Sequence, residues 1–227
     1  MTKNEDEPVL DGYEVMGLVR PDVAGGVLKA RDPETGEVVA LKRVPASAVD
    51  ELHVAVMRLA RLRHRHVSRI LGFAEASGAS YLVAEWVDGV TLDVLTASTP
   101  LSTAQALGVA RGALLGLAHA HDRGLVHGNV SAATLVLDHE GEPLLTGFGL
   151  VGSRSSDVRG VAVVLSELVD RDLLPADLRG ALLTAVSGGA YDDATEFLQV
   201  LSRAAEDAFG ERWWTTAGIA ELVAAAE

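Results

Sequence analysis

LVHGNVSAATLVLDHEGEPLLTGFGL, from Leu125 to Leu150, is the stretch of this sequence that decides the fold. Two short apolar runs, Leu135–Leu137 and Leu144–Leu145, flank a polar turn over residues 138–143. Apolar runs of this length on either side of such a turn predict a hairpin of two short strands. The loop His127-Gly128-Asn129 leads into the hairpin, which makes the whole stretch a hairpin-like cradle for polar groups.

The loops on the two sides of this hairpin resemble the catalytic loop and the metal-binding loop of protein kinases. The family pattern there is His-Arg-Asp, an Asn five residues after the Asp, and then Asp-Phe-Gly. Three positions that pack the family's site are retained, namely His127, Phe148 and Gly149. The positions that carry its chemistry have changed: Asn129 replaces the catalytic Asp, Ser131 a lysine of the same loop, Thr134 the metal-binding Asn, and Gly147 the Asp of Asp-Phe-Gly.

Composition limits the classes of function. A chain of 227 residues, 48% of them hydrophobic, can bury the core of one two-lobed domain or of two small domains. It has no cysteine, which excludes disulfides and thiolate chemistry. No apolar run approaches the roughly 20 residues that cross a bilayer. The net charge of −13 repels phosphate backbones and anionic lipid. We therefore expect no nucleic-acid partner and no direct membrane insertion, and a cytoplasmic chain or the cytosolic domain of a larger membrane protein.

Residues 12–44 read as three strands, which resemble the first strands of a kinase amino-terminal lobe. In that family a glycine-rich loop lies over the nucleotide phosphates. Its three glycines would fall at Arg20, Asp22 and Gly25, of which only Gly25 is a glycine. A strand-turn-strand hairpin without a ligand is the simpler interpretation of this degraded loop.

The tetrapeptide Val39-Ala40-Leu41-Lys42 matches the family's Val-Ala-Ile-Lys, which makes Lys42 the counterpart of its phosphate-binding lysine. The glutamate that pairs with this lysine would stand at Ala55. Glu51, one helical turn earlier, either pairs with Lys42 after a shift of the helix or is only an exposed acid near the helix start, and we favour the second. The remnant nucleotide-binding positions, including a hinge-like stretch, are Gly25, Val27, Ala40, Lys42, Ala84, Glu85 and Val87.

The second half of the sequence predicts helices. A long one over residues 101–123 has Ser102 as its N-cap and Gly124 as its stop. Only residues 150–156 separate Gly149 from Asp157, so the long activation segment of active kinases is missing. By the resemblance, Asp157 is the acid that braces the backbone of the catalytic loop.

Helical patterns continue over residues 178–186, 194–205 and 216–226. Trp213 and Trp214 precede the last of these and are expected to pack on the larger lobe. A more specific alternative is that the two tryptophans anchor a protein partner, because rigid aromatic side chains make good interface anchors.

These features predict an α+β, protein kinase-like, two-lobed fold with a β-rich amino-terminal lobe and a shortened, helical carboxy-terminal lobe. The expected divisions are a flexible tail over residues 1–10, lobes over residues 11–88 and 89–208, and a helical extension over residues 209–227. By resemblance the chain is similar to bacterial, actinobacterial-type Ser/Thr kinases, as a degenerate member or pseudokinase.

We expect no catalysis, no metal site and no required cofactor, because phosphoryl transfer depends on Mg²⁺ held by carboxylates. The predicted function is a scaffold or regulator that binds a protein in Ser/Thr kinase signalling. Candidate partners are a Ser/Thr kinase, or a forkhead-associated domain that recognises a phosphorylated Thr215, Thr216 or a serine of residues 153–156. ATP binding without Mg²⁺ is one alternative function, and a weakly active, atypical nucleotide transferase is another.

Overall fold

The computed structural model describes residues 12–20, 26–44, 46, 49–76, 78–149, 151–188 and 190–226, without the side chains of residues 20, 49–53 and 76. The chain divides into two compact units, residues 1–63 with 68–86, and residues 64–67 with 87–227. The division after Trp86 lies two residues before the predicted one, and the predicted extension over residues 209–227 belongs to the second unit. The tail predicted over residues 1–10 lies outside the described residues.

An antiparallel sheet of five strands dominates the first unit, in the order β1-β2-β3-β5-β4. Residues alternate between its two faces, and one face forms a core that includes Leu28, Val39, Leu41 and Val83. This sheet confirms the predicted strand-rich amino-terminal part. The elements are β1 Glu14–Arg20, β2 Val27–Arg31, β3 Val38–Val44, α1 Val49–Leu59, β4 Ile70–Ala76 and β5 Ala79–Glu85.

The second unit is mainly helical and contains a small sheet in the order β6-β7-β8. Its strands β7 and β8 form the predicted hairpin, with Leu135 opposite Leu145. Among the described residues, none of the helices combines the length and the apolar character that a membrane span requires. The elements are β6 Gly89–Thr91, α2 Leu92–Ser98, α3 Thr103–His121, β7 Leu135–Asp138, β8 Pro143–Leu145, α4 Arg154–Leu168, α5 Ala176–Ser187, α6 Ala194–Phe209 and α7 Ile219–Ala226.

Helix α3 is the central support of the second unit. Ser102 caps it as predicted, because the Ser102 hydroxyl accepts from the backbone N–H of Gln105, whose side chain accepts from the N–H of Ser102 at 2.9 Å. Its apolar side is fully buried, with Leu114 and Leu117 both 0% exposed. The helix therefore holds its neighbours by packing and presents only its other side to solvent.

The C-terminal segment packs on α3 and begins its helix later than predicted. Helix α7 starts at Ile219 instead of residue 216, because Gly218 directly before it has a φ of +81°, which lies outside the right-handed helical region. The segment before Gly218 also bonds to α3. The N–H of Thr215 donates to the carbonyl of Ala104 at 3.1 Å, and the side chain of Gln105 donates to the carbonyl of Ala217 at 3.1 Å. These two bonds hold the segment against α3 up to the residue before Gly218.

The two tryptophans of this segment are turned toward the second unit. Trp213 is 3% exposed, and its ring N–H donates to the Glu206 carboxylate at 3.3 Å. Trp214 is half-buried beneath the guanidinium of Arg111, 4.3 Å from the ring centroid. Because Trp213 is buried, its ring is not exposed for contact with a partner protein in this structure.

Three histidine rings meet where residues 64–67 lie against α3. The His64 ring is 5.4 Å from that of His66 and 4.9 Å from that of His119. Burial, and then the positive field of His66, His119, Arg65 and Arg123, lowers the pKa of His64 from 6.5 to about 4. Burial also lowers the pKa of His66. Both rings are therefore neutral near pH 7.

This cluster predicts a loss of stability in mild acid. Between pH 6.5 and about 4 the unfolded chain binds a proton at His64 that the folded chain does not, so the free energy of unfolding falls as the pH falls through this window. Urea unfolding at pH 7.5 and at pH 5 measures the difference. We expect His64→Gln to lose less stability than the wild type over this interval.

The control for this experiment is His139→Gln, which changes an exposed histidine. That variant should keep the pH dependence of the wild type. Equal pH dependence in His64→Gln and the wild type would show that the cluster does not exclude the proton.

Candidate functional site

The loop His127-Gly128-Asn129 is held by one buried carboxylate. Asp157, in the first turn of α4, is 0% exposed. Its two oxygens accept from the backbone N–H groups of His127 and Gly128, each at 2.7 Å, and Oδ2 is bonded to Nε2 of His121 at 3.0 Å. The loop backbone is therefore fixed by a carboxylate from a segment about 30 residues further along the chain.

The ring of His127 joins this loop to the one after β8. Its Nδ1 accepts from the N–H of Asn129 at 3.2 Å, which leaves the proton on Nε2 to donate to the carbonyl of Thr146 at 2.9 Å. The N–H of Gly149 donates to the carbonyl of His127 at 2.7 Å, and the Phe148 ring lies 4.4 Å from the imidazole. The retained residues therefore act as packing and hydrogen-bonding groups.

Asn129 and Gly147 face each other at the positions where the family has acids. The Asn129 amide donates to the carbonyl of Gly147 at 3.2 Å. Gly147 has a φ of +68°, and an added Cβ would lie 3.4 Å from Cγ2 of Thr134. There is thus space for a side chain at residue 147, but only in a backbone conformation that disfavours one.

The hydroxyl of Thr134 closes the loop on itself. It donates to the carbonyl of Asn129 at 2.7 Å or to that of Ser131 at 3.1 Å, and it accepts from the N–H of Ser131 at 3.0 Å. The Ser131 hydroxyl is 3.3 Å away. The oxygen at the family's metal-binding position is therefore already engaged in bonds within the loop.

Removing this hydroxyl tests its structural role. Thr134→Val keeps the shape of the side chain but leaves backbone groups of Asn129 and Ser131 without a partner, so we expect the free energy of unfolding to fall by about 1–2 kcal/mol. Thr195→Val, at an exposed position of α6, is the matched control. Equal unfolding midpoints in urea for the two variants would contradict this role.

The remnant nucleotide-binding residues of the first unit share one face of its sheet. Ala40 pairs with Ala84, and Lys42 pairs with Val27 on one side and with Leu82 on the other. Directly paired residues point to the same face. This face is opposite to the one that forms the core, so the structure brings these positions together.

The structure describes some of the other predicted positions and not the rest. Glu85 is bound to Arg69, whose N–H donates to Oε1 of Glu85 at 2.7 Å. Val87 lies in the second unit. Asp22 and Gly25 fall outside the described residues, as do the side chains of Arg20 and Glu51.

His121 is the site residue that the sequence interpretation missed. From the sequence, His119 and His121 are expected to be packing or surface histidines and not metal ligands. His121 is indeed buried, but it is also bonded to Asp157, and its Nδ1 accepts from the N–H of Ala194 at 3.3 Å. The available signal was its place four residues after the buried Leu117, on the same side of α3. Within the described part of the chain, no group of three or more His, Asp or Glu side chains is arranged to hold a metal ion.

Comparison with known proteins decides the family. A family model described as "Protein kinase domain" matches residues 23–169, more than half of the chain. The chain belongs to the protein kinase domain family. A probable serine/threonine-protein kinase of Arabidopsis thaliana is 33% identical over 150 residues, which are 62% of this chain and 21% of that protein. The serine/threonine-protein kinase PrkC of Bacillus subtilis is 31% identical over 128 residues, 56% of this chain and 19% of PrkC. The match thus spans about a fifth of the length of these relatives.

Solved structures confirm the predicted kinase-like fold. The PknI kinase domain of Mycobacterium tuberculosis superposes with a TM-score of 0.71 at 22% identity, over 90% of this chain and 100% of that domain. A mutant of the same PknI domain gives a TM-score of 0.73 at 21% identity, with the same coverage. The kinase-family chain therefore keeps the fold of these solved structures, while Asn129, Ser131, Thr134 and Gly147 stand at chemical positions of the family pattern.

Proposed function

We propose that this kinase-family chain does not transfer phosphate and acts as a protein-binding scaffold or regulator in Ser/Thr kinase signalling. One observation carries the proposal. The family's catalytic and metal-binding positions hold Asn129, Thr134 and Gly147, and the groups at these positions bond to each other or to the surrounding loops.

The donor set at these positions does not fit Mg²⁺ with a nucleotide triphosphate. Mg²⁺ requires octahedral oxygen ligands, usually with one or two carboxylates. Gly147 has no side chain, and the hydroxyl of Thr134 is neutral and already bonded. The amide of Asn129 cannot accept a proton from a substrate hydroxyl as a carboxylate does. Ser131 also replaces the cation that would stand near the transferred phosphate.

Exposed apolar side chains support a protein-binding role. Val54 and Met57, three residues apart on α1, are 70% and 63% exposed. Residues at this spacing lie on one side of a helix. We propose this side of α1 as a contact surface for the partner, since protein-binding surfaces are rich in exposed apolar side chains. A Ser/Thr kinase or a protein with a forkhead-associated domain is the partner class proposed for this role.

A phosphotransfer assay tests the proposal. The purified chain is incubated with radiolabelled ATP, Mg²⁺ or Mn²⁺, and myelin basic protein, beside a Lys42→Met variant prepared in the same way. We expect incorporation in the wild type to equal that of the variant. Incorporation that is present in the wild type and lost in Lys42→Met would overturn the proposal.

ATP binding without metal is a second candidate, favoured by the grouping of Val27, Ala40, Lys42 and Ala84 on one face of the sheet. Thermal unfolding with ATP in EDTA, and with ATP in Mg²⁺, separates the candidates. A melting temperature that rises equally in both solutions, and does not rise in Lys42→Ala, supports this function. No rise in either solution contradicts it and leaves the scaffold proposal standing.

A further inference from the structure

Two exposed leucines lie beside a cavity where α4 packs against α5 in the second unit, and we infer that this face joins two copies of the chain. We call the face the α4–α5 patch and define it by Asp170, Arg171, Asp172, Leu173, Arg179 and Leu183. None of these six residues is buried. The patch contains no residue of the catalytic loop, so two copies associate through it whether or not the chain transfers phosphate.

The short connection between α4 and α5 leaves apolar side chains without cover. A 3₁₀ turn, Arg171–Leu173, follows the end of α4 and leads directly to α5. Leu174 faces inward and is buried, whereas Leu173 is 81% exposed, the largest exposed fraction among the large apolar side chains that the structure describes. Leu183 on α5 is 43% exposed. Projecting leucines of this kind are typical of a surface that contacts another protein.

A cavity of about 400 Å³ opens beside these leucines. Leu183 and the buried Val169 line it with apolar groups. Leu173 directly follows the lining residue Asp172 but is not itself part of the lining. Cavities of roughly 300 Å³ or more hold a small molecule, so this one has room for a leucine side chain. The patch therefore carries a projecting apolar side chain and a recess that fits one.

The charges of the patch are of both signs and are not paired with each other. Its four charged side chains sum to zero, on a chain whose net charge is −13. Asp172 and Arg179 line the same cavity, yet neither side chain has a hydrogen bond or an ion pair within the part of the chain that the structure describes. Glu167 and Asp177 are exposed on the neighbouring helices and make the surroundings slightly acidic. The face therefore favours neither a polyanion nor a polycation.

These features are complementary to a second copy of the same face. In a two-fold dimer every contact is matched by its reverse, so one patch supplies both members of each pair. In the proposed dimer, Leu173 of each copy enters the cavity of the other, and Asp172 of each copy faces Arg179 of the other. Since exposed charge pairs orient two proteins more than they hold them together, we expect a weak dimer with a dissociation constant in the micromolar range.

Sedimentation equilibrium of the full chain measures the association. We expect the average mass to rise with concentration from that of one chain toward that of two and to stop there, because a two-fold contact closes on itself. Leu173→Glu should raise the dissociation constant about tenfold or more, since it brings a carboxylate to an apolar recess. Val94→Glu makes the same kind of change at an exposed position of α2 and should associate as the wild type does.

Exchanged charges show whether the contact is two-fold. Asp172→Arg and Arg179→Glu should each weaken self-association about tenfold or more, because each places like charges opposite one another. The double variant restores both pairs in reverse and should associate as the wild type does. A mixture of the two single variants should form a mixed dimer, because opposite charges then meet at both contacts.

The rescue by the double variant also separates a lost contact from a lost fold. Melting temperatures verify that the variants are folded, and Leu173→Ser replaces Leu173→Glu if the glutamate lowers the melting temperature. A mass of one chain at every concentration, or a mass that grows beyond two chains, would overturn the inference. So would a dimer that Leu173→Glu and both charge reversals leave intact, or a double variant that associates no better than the single ones.

Discussion

Replacing Asp157 with alanine is expected to lower the free energy of unfolding by about 3–5 kcal/mol. The carboxylate is fully buried and is the acceptor for the N–H groups of His127 and Gly128 as well as the partner of His121. Alanine leaves these donors buried without an acceptor and also leaves a small cavity. Urea unfolding followed by tryptophan fluorescence measures the change, and the melting temperature should fall on the order of 10 °C.

The matched control is Asp207→Ala, at an exposed position near the end of α6. This substitution removes the same charge from a site where a negative side chain faces the negative end of the helix dipole. Its unfolding free energy should stay within about 0.5 kcal/mol of the wild type. If Asp157→Ala were no less stable than Asp207→Ala, the carboxylate would not be what holds the catalytic-loop backbone.

Replacing Gly128 with alanine is expected to cost about 3 kcal/mol or more, from two separate causes. Gly128 has a φ of +70°, which strains any side chain by about 1–2 kcal/mol. An added Cβ would also overlap the carbonyl oxygen of Val151 and come within 2.9 Å of the carbonyl carbon. Both are backbone atoms that no rotamer change can move aside, so the segment after Gly149 must shift.

Gly210→Ala separates the two causes. Gly210 has a φ of +80°, yet nothing lies within 4 Å of an added Cβ. It should therefore lose only the strain, about 1 kcal/mol. Equal losses at the two glycines, measured by urea unfolding, would show that the contact with Val151 is unimportant. The family's arginine at residue 128 is larger than alanine, so Gly128→Arg should be at least as unstable as Gly128→Ala.

Much of the fold could be predicted from the sequence because its signals are local. The hairpin of β7 and β8 was readable from two apolar runs around a polar turn, and α3 from its periodicity and its Ser102 cap. The packing of the segment before α7 was not, since the N–H of Thr215 bonds to Ala104, more than 100 residues earlier. Contacts over such separations depend on packing that a local pattern does not contain.

The candidate site was only partly predictable for the same reason. The identities of Asn129, Thr134 and Gly147 were visible once the spacing was aligned with the family pattern. The hydrogen-bond partners of these residues were not predictable. The Asn129 amide donates to the carbonyl of Gly147, eighteen residues away, and the Thr134 hydroxyl donates to the carbonyl of Asn129 in its own loop. His121 was missed because its partner, Asp157, is 36 residues away.

The amino-acid sequence by itself determined the kinase-like order of strands and helices, and it determined which side chains stand at the positions of the family pattern. Those side chains do not include the acids that phosphoryl transfer uses. The tertiary structure alone decided what the replacement groups bond to, and which histidine rings meet beside α3. The physical reason is that identity and periodicity belong to each residue and its neighbours along the chain. Hydrogen-bond partners, burial and electrostatic fields arise only when distant segments meet.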